Sequence, residues 1–128
     1  MNKDVKEVLT SQLWHIATMG DEPNVVPVGL KAVLDDDTLV IGDVFMVTTV
    51  ENIKKNGKAA VSVCDPAGMS YQVKGSASYE SEGPAVDALN AICEQKGFPF
   101  RARGAVIIKP ERAIITSGGP DNKKEVSL

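Results

Sequence analysis

Thr48 and Thr49 follow an apolar strand, Leu39-Val40-Ile41, that has run on through Gly42-Asp43, and they stand where Val47-Thr48-Thr49-Val50-Glu51-Asn52 turns into a helix. Two adjacent hydroxyls at a helix start make a candidate seat for an anion. The first helical turn has unpaired N–H groups and partial positive charge. A phosphate placed there gains hydrogen bonds and a favourable dipole, and the hydroxyls add further donors. The plainer reading is that one threonine only caps the helix, because Thr-x-x-Asn resembles a degenerate capping box. Under both readings the helix runs from about Thr49 to Asn56 and Gly57 stops it.

Other reactive residues are sparse. The single histidine, His15, lies in a strand with no cluster of His, Cys and carboxylates at metal-ligand spacing around it, so a packed histidine is expected and no metal site. Cys64 and Cys93 have no CxxC partner and read as structural residues, one on a strand and one on a helix. Neither a GxGxxG nor a Walker-type loop occurs. Asp35-Asp36-Asp37 could be taken for a metal-binding run, but an acidic run between two strands reads first as a solvated turn. A chain this poor in acid–base groups would need a cofactor to carry any reaction.

The elements that must position Thr48 and Thr49 follow from periodicity. Val5, Val8 and Leu9 within residues 3–12 give a short amphipathic helix. Trp14–Thr18 and Val25–Leu30 flank the turn Gly20–Asn24 as a hairpin, and Pro27 in its second strand requires an edge, a bulge or a ligand beside it. Thr38–Ile41 is a third strand and Lys58–Cys64 a fourth. The cleanest alternation is Tyr71, Val73, Gly75, Ala77 and Tyr79 on one face against Gln72, Lys74, Ser76, Ser78 and Glu80 on the other. Pro84 opens a helix that ends near Gly97, and Val106–Ile108 and Ala113–Ile115 are two further strands around Pro110-Glu111. Six or so short strands with two or three helices point to a mainly β fold, a small antiparallel barrel with helices at its ends.

At 128 residues the chain has the length of one domain, residues 1–128. A net charge of -3 and 5% aromatics give neither the charge nor the stacking platforms expected of a nucleic-acid binder. No apolar run approaches the roughly 18 residues needed to span a bilayer, and Met1–Glu7 lacks the apolar centre of a signal peptide. A soluble, cytoplasmic protein with reduced thiols is expected.

In order and spacing, several stretches together resemble the pyridoxamine 5'-phosphate oxidase-like FMN-binding split barrels, and within them the small FMN-binding proteins. These are Trp14–Thr18, Pro23–Gly29, Ile41–Met46 followed by Thr49–Ile53, Tyr71–Gly75, and the tail with Gly119-Pro120 and Lys123-Lys124. The resemblance covers most of the chain. It implies a six-stranded antiparallel split β-barrel that binds FMN at a two-fold homodimer interface. Backbone at Pro27, Val28, Gly29 and Leu30 would lie against the flavin ring. Ile41, Gly42 and Asp43 would flank the ring and ribityl chain, Thr48 and Thr49 would hold the phosphate, and Gln72 would contact the cofactor from the polar face of its strand. Many relatives place a lysine immediately before the phosphate-binding hydroxyl, and here that position is Thr48. Lys31, Lys54 and Lys55 are candidates for a replacement cation.

The function that the resemblance implies is a flavoprotein oxidoreductase or electron carrier with an unspecified small-molecule or protein redox partner. No set of basic residues offers itself to a pyridoxamine phosphate substrate, which argues against that activity itself. The alternatives are a non-catalytic module for another phosphorylated or deazaflavin ligand, and a ligand-free dimer with an interaction role.

Overall fold

The computed structural model describes residues 1–128. Helix α1 (Lys3–Ser11) opens the chain, capped by Asn2, whose Oδ1 accepts from the N–H groups of Asp4 and Val5. Strands β1 (Trp14–Met19), β2 (Pro23–Val28), β3 (Lys31–Leu34) and β4 (Thr38–Asp43) follow as two hairpins. Then come α2 (Thr48–Asn56), β5 (Lys58–Cys64), β6 (Ser70–Glu80), α3 (Pro84–Lys96), β7 (Gly104–Ile115) and the short β8 (Glu125–Val126). Gly57 and Gly97 end α2 and α3 with φ of 65° and 68°, left-handed positions that glycine takes without cost.

All pairings are antiparallel, in the order β2-β1-β5-β6-β7-β4-β3, with β8 added to β7. The two ends of this order, β2 and β3, are joined by only Gly29 and Leu30. Val28 and Lys31 therefore stand at most about 11 Å apart. The sheet must curl until its ends approach, yet β2 and β3 do not pair. The result is a curled antiparallel half-barrel with three helices, consistent with a split barrel.

The count of six strands is corrected to seven in this path. Lys31–Leu34 is a strand that sequence reading missed, because all four residues are half-buried and show no alternation. Conversely, the two strands expected around Pro110-Glu111 are one, β7. Pro110 is accommodated opposite Gly75, where the register of β6 shifts between Lys74 and Gly75. A side chain at position 75 would begin 2.0 Å from the carbonyl oxygen of Lys109, so only glycine allows this approach.

Inside the curl, eighteen buried residues from α1, α2 and the strands form the main core, with Trp14, Ile16, Leu39, Ile41, Val61 and Ile108 fully enclosed. Trp14 Nε1 donates to the carbonyl of Leu9 at 2.7 Å, which fixes α1 on the barrel. A second cluster packs Leu89 and Cys93 of α3 against Val40 and Ala105 outside the sheet. Strand β4 is thus covered on both faces, which accounts for its unbroken apolar run.

Candidate functional site

The split leaves a cavity of about 670 Å³ between the β2–β3 corner and the start of α2. That is the size of a small-molecule site. It is lined by Pro27, Val28, Gly29 and Leu30 from the corner, by Gly42 from β4, and by Thr48 and Thr49 from α2. Seven of the ten expected site residues therefore meet at one place. Pro27 sits on β2, the edge strand, where a missing N–H breaks no ladder on the open side. A Cβ on Gly29 would project into open space, whereas one on Gly42 would strike Leu30 Cδ2 at 2.4 Å. The Gly42 N–H donates to the Leu30 carbonyl at 2.8 Å, so that carbonyl is already engaged.

The structure answers the capping question. Residue Val47 occupies the N-cap of α2 and no side chain caps the helix, so neither threonine has that role. The first-turn N–H groups remain available beside the cavity. Thr48 is exposed; Thr49 is 3% exposed, and its Oγ1 accepts from Asn24 Nδ2 at 3.0 Å.

Three expected residues lie elsewhere. Ile41 points into the main core. Gln72 is on the outer face of β6, in a row that runs through Ser62 and His15 to Pro27. Three strand spacings of roughly 4.8 Å put it about 14 Å from Pro27. Asp43 is 2% exposed and forms the hub of a network. Its Oδ2 accepts from Tyr79 Oη at 2.6 Å and from Arg103 Nε at 3.1 Å, and its Oδ1 accepts from the Met46 N–H at 2.9 Å. Arg103 also donates through Nη2 to the Met46 carbonyl at 2.6 Å. The hub thereby clamps the 44–47 loop that delivers the chain to α2.

Burial first, and the hydrogen bond to Asp43 second, push the Tyr79 pKa up to about 12. An unfolded tyrosine ionises near 10. Above that pH the folded state holds a proton that the unfolded chain releases, so this contribution is complete below about pH 10 and is lost as pH rises through about 12. Urea midpoints measured from pH 9 to 12 should therefore fall with pH, and Tyr79→Phe should fall less. The remaining decline belongs partly to Tyr71, whose pKa burial also raises.

Sequence reading missed the apolar wall. Val44, Phe45, Met46 and Val47 line the cavity, as do Phe98 and Phe100, whose rings stack with centroids 5.0 Å apart. Phe98 and Phe100, within three residues after the helix-stopping Gly97, were the available signal. None of the three candidate cations lines the cavity. Lys31 Nζ lies 5.2 Å from the centre of the Trp14 ring, Lys54 Nζ lies 4.7 Å from that of Tyr79, and Lys55 faces Asp21 at 3.9 Å.

The family model for pyridoxamine 5'-phosphate oxidase matches residues 1–117. The chain belongs to this family. An uncharacterized protein of Methanocaldococcus jannaschii is 29% identical over 131 residues, covering 99% of this chain and 88% of the relative. Among solved structures, HupZ of Group A Streptococcus superimposes with a TM-score of 0.83 at 24% identity, covering 94% of this chain and 98% of that one. An FMN-binding protein of Syntrophomonas wolfei subsp. wolfei gives 0.76 at 16% identity, covering 89% and 84%. These two likenesses establish a shared fold. Within the pyridoxamine 5'-phosphate oxidase family, then, this chain places two hydroxyls and an uncapped helix start beside an apolar, aromatic-walled cavity. No helix is long and apolar enough to cross a membrane.

Proposed function

We propose that the protein is a cytoplasmic FMN-binding flavoprotein, a small oxidoreductase or electron carrier that works as a homodimer. The observation that carries this reading is the pairing, at one cavity, of an uncapped helix N-terminus bearing Thr48 and Thr49 with a largely apolar wall. A phosphate and a flat ring need those two environments side by side. The bound flavin would supply the electron transfer. The chain's own residues would do the rest. Thr48, Thr49 and the first-turn amides of α2 would bind the phosphate. Backbone from Pro27 to Leu30 would lie along the ring, and Phe45, Phe98 and Phe100 would shield it from water. Unpaired Cys64 and Cys93 suit a reducing compartment.

The homodimer reading is supported by the outer face of the sheet, where exposed Met19 and Val25 flank a second, 560 Å³ hollow that Lys58, Lys74 and Glu111 also line. Gln72 stands on that same face, about 14 Å from Pro27 by strand count, and in a homodimer it would reach the flavin of the second copy.

A second reading, another phosphorylated or deazaflavin ligand in the same cavity, is favoured by Thr48 standing where many relatives have lysine. Fluorescence titration with FMN tests the first reading, and the mass of any co-purifying ligand separates it from the second. Thr48→Lys should tighten FMN binding about tenfold, because an ammonium–phosphate contact is roughly twice as strong as a neutral hydrogen bond. The gain should shrink when the titration is repeated at high salt.

A further inference from the structure

We propose that Asn24 is a positioning residue that commits the Thr49 hydroxyl to donate into the cavity, which makes the seat selective for a phosphorylated ligand over its unphosphorylated form. The inference rests on the flavin reading and assigns the residue behind its phosphate end.

Asn24 Nδ2 carries two hydrogens, and both are used. One goes to Thr18 Oγ1 at 3.2 Å and the other to Thr49 Oγ1 at 3.0 Å. Asn52 Nδ2 also donates to Thr18 Oγ1, at 3.0 Å, so two amides fill that hydroxyl's acceptor sites. Thr18, Thr49 and Asn52 are each less than one-tenth exposed, and no buried side-chain polar atom in the chain lacks a partner. The network is also tightly packed. A side chain on Gly20 would begin 2.2 Å from Asn52 Oδ1.

The consequence falls on Thr49. A free hydroxyl offers one hydrogen and two lone pairs, and it turns to suit whatever faces it. Here one lone pair is filled from behind by Asn24, which lines the 560 Å³ hollow, while Thr49 itself lines the 670 Å³ cavity. The Thr49 hydrogen is left for the cavity side. A phosphate dianion presents acceptors only, so a hydroxyl held in this sense recognises it without first reorienting. A ligand ending in an alcohol serves equally as donor or acceptor and gains less. The role is specific to the amide: a carboxylate at position 24 would accept the Thr49 hydrogen and set a negative charge behind the phosphate.

The experiment titrates wild type, Asn24→Asp and Asn24→Ala with FMN and with riboflavin, which has the same ring and ribityl chain without the phosphate. Thermal melts run alongside. Wild type should prefer FMN. Asn24→Asp should lose more than about tenfold in FMN affinity, and Asn24→Ala about threefold, with riboflavin affinity changed by less than about twofold in both. Parallel losses for the two ligands would overturn the inference and leave Asn24 a structural residue. So would an unchanged FMN preference in Asn24→Asp, or in Asn24→Ala if the aspartate does not fold. A wild type that binds FMN and riboflavin equally would overturn the inference alone. A wild type that binds neither would overturn the flavin reading and the inference with it.

Discussion

Asp43→Ala is expected to cost about 3 kcal/mol of folding stability. The carboxylate accepts three hydrogen bonds while 2% exposed. Removing it takes the acceptor from the half-buried Tyr79 hydroxyl and Met46 N–H, and each group left without a partner costs about 1–3 kcal/mol, toward the lower end where water can reach it. Arg103 contributes less than a buried partner would, because its side chain is 57% exposed and solvent screens the charge it leaves behind. Asp43→Asn should cost roughly half as much, since the amide keeps the shape and one acceptor. Urea denaturation of the three proteins measures both values. A loss below about 1 kcal/mol for the alanine variant would show that the 44–47 loop holds its place without this clamp. Loosening that loop also moves the start of α2, so FMN affinity should fall together with stability in both variants.

Thr49→Val is expected to weigh on ligand affinity far more than on stability. The substitution keeps the side chain's shape, so the fold loses little more than the hydrogen bond from Asn24, about 1 kcal/mol. On the proposed reading a bound phosphate would lose a buried donor, a contact worth about 1.5–3 kcal/mol, or roughly 10- to 150-fold in affinity. Thr48→Val should do less. Its hydroxyl is exposed and competes with water for the same phosphate. Fluorescence titration with FMN separates the two, and a larger effect at Thr48 than at Thr49 would reverse the assignment of the principal donor.

Much of this fold was legible because local rules and packing agree. The alternation from Tyr71 to Tyr79 survives as an eleven-residue strand, with Tyr71, Val73 and Gly75 buried. Gly57 and Gly97 stop the helices where their left-handed backbones require glycine, and Pro84 starts α3. What was hidden depends on distant partners. Lys31–Leu34 pairs with β4 yet exposes no clean face, and Pro110 looked like a break because the shift that accommodates it lies on another strand. Ile41 shows the limit of a run buried on both faces: nothing in Leu39-Val40-Ile41 says which side chain turns toward which core.

The same distinction divides the site. The corner from Pro27 to Leu30 and the threonines at the head of α2 were readable from residue type and order. That the Asp43 side chain carries a clamp was hidden, because Arg103 lies 60 residues away and Tyr79 36. The contact between Asn24 and Thr49 crosses 25 residues and needs the barrel to exist before it can form. Phe98 and Phe100 reach the cavity only because α3 folds back over β4 and β7.

The most direct test of the account is the visible absorption spectrum of the purified protein, taken before and after excess FMN and again after gel filtration. Flavin bands that travel with the protein through the column, at one flavin per chain, are the predicted result. A colourless protein that emerges without flavin after incubation with FMN would contradict the account and leave the cavity to a different ligand.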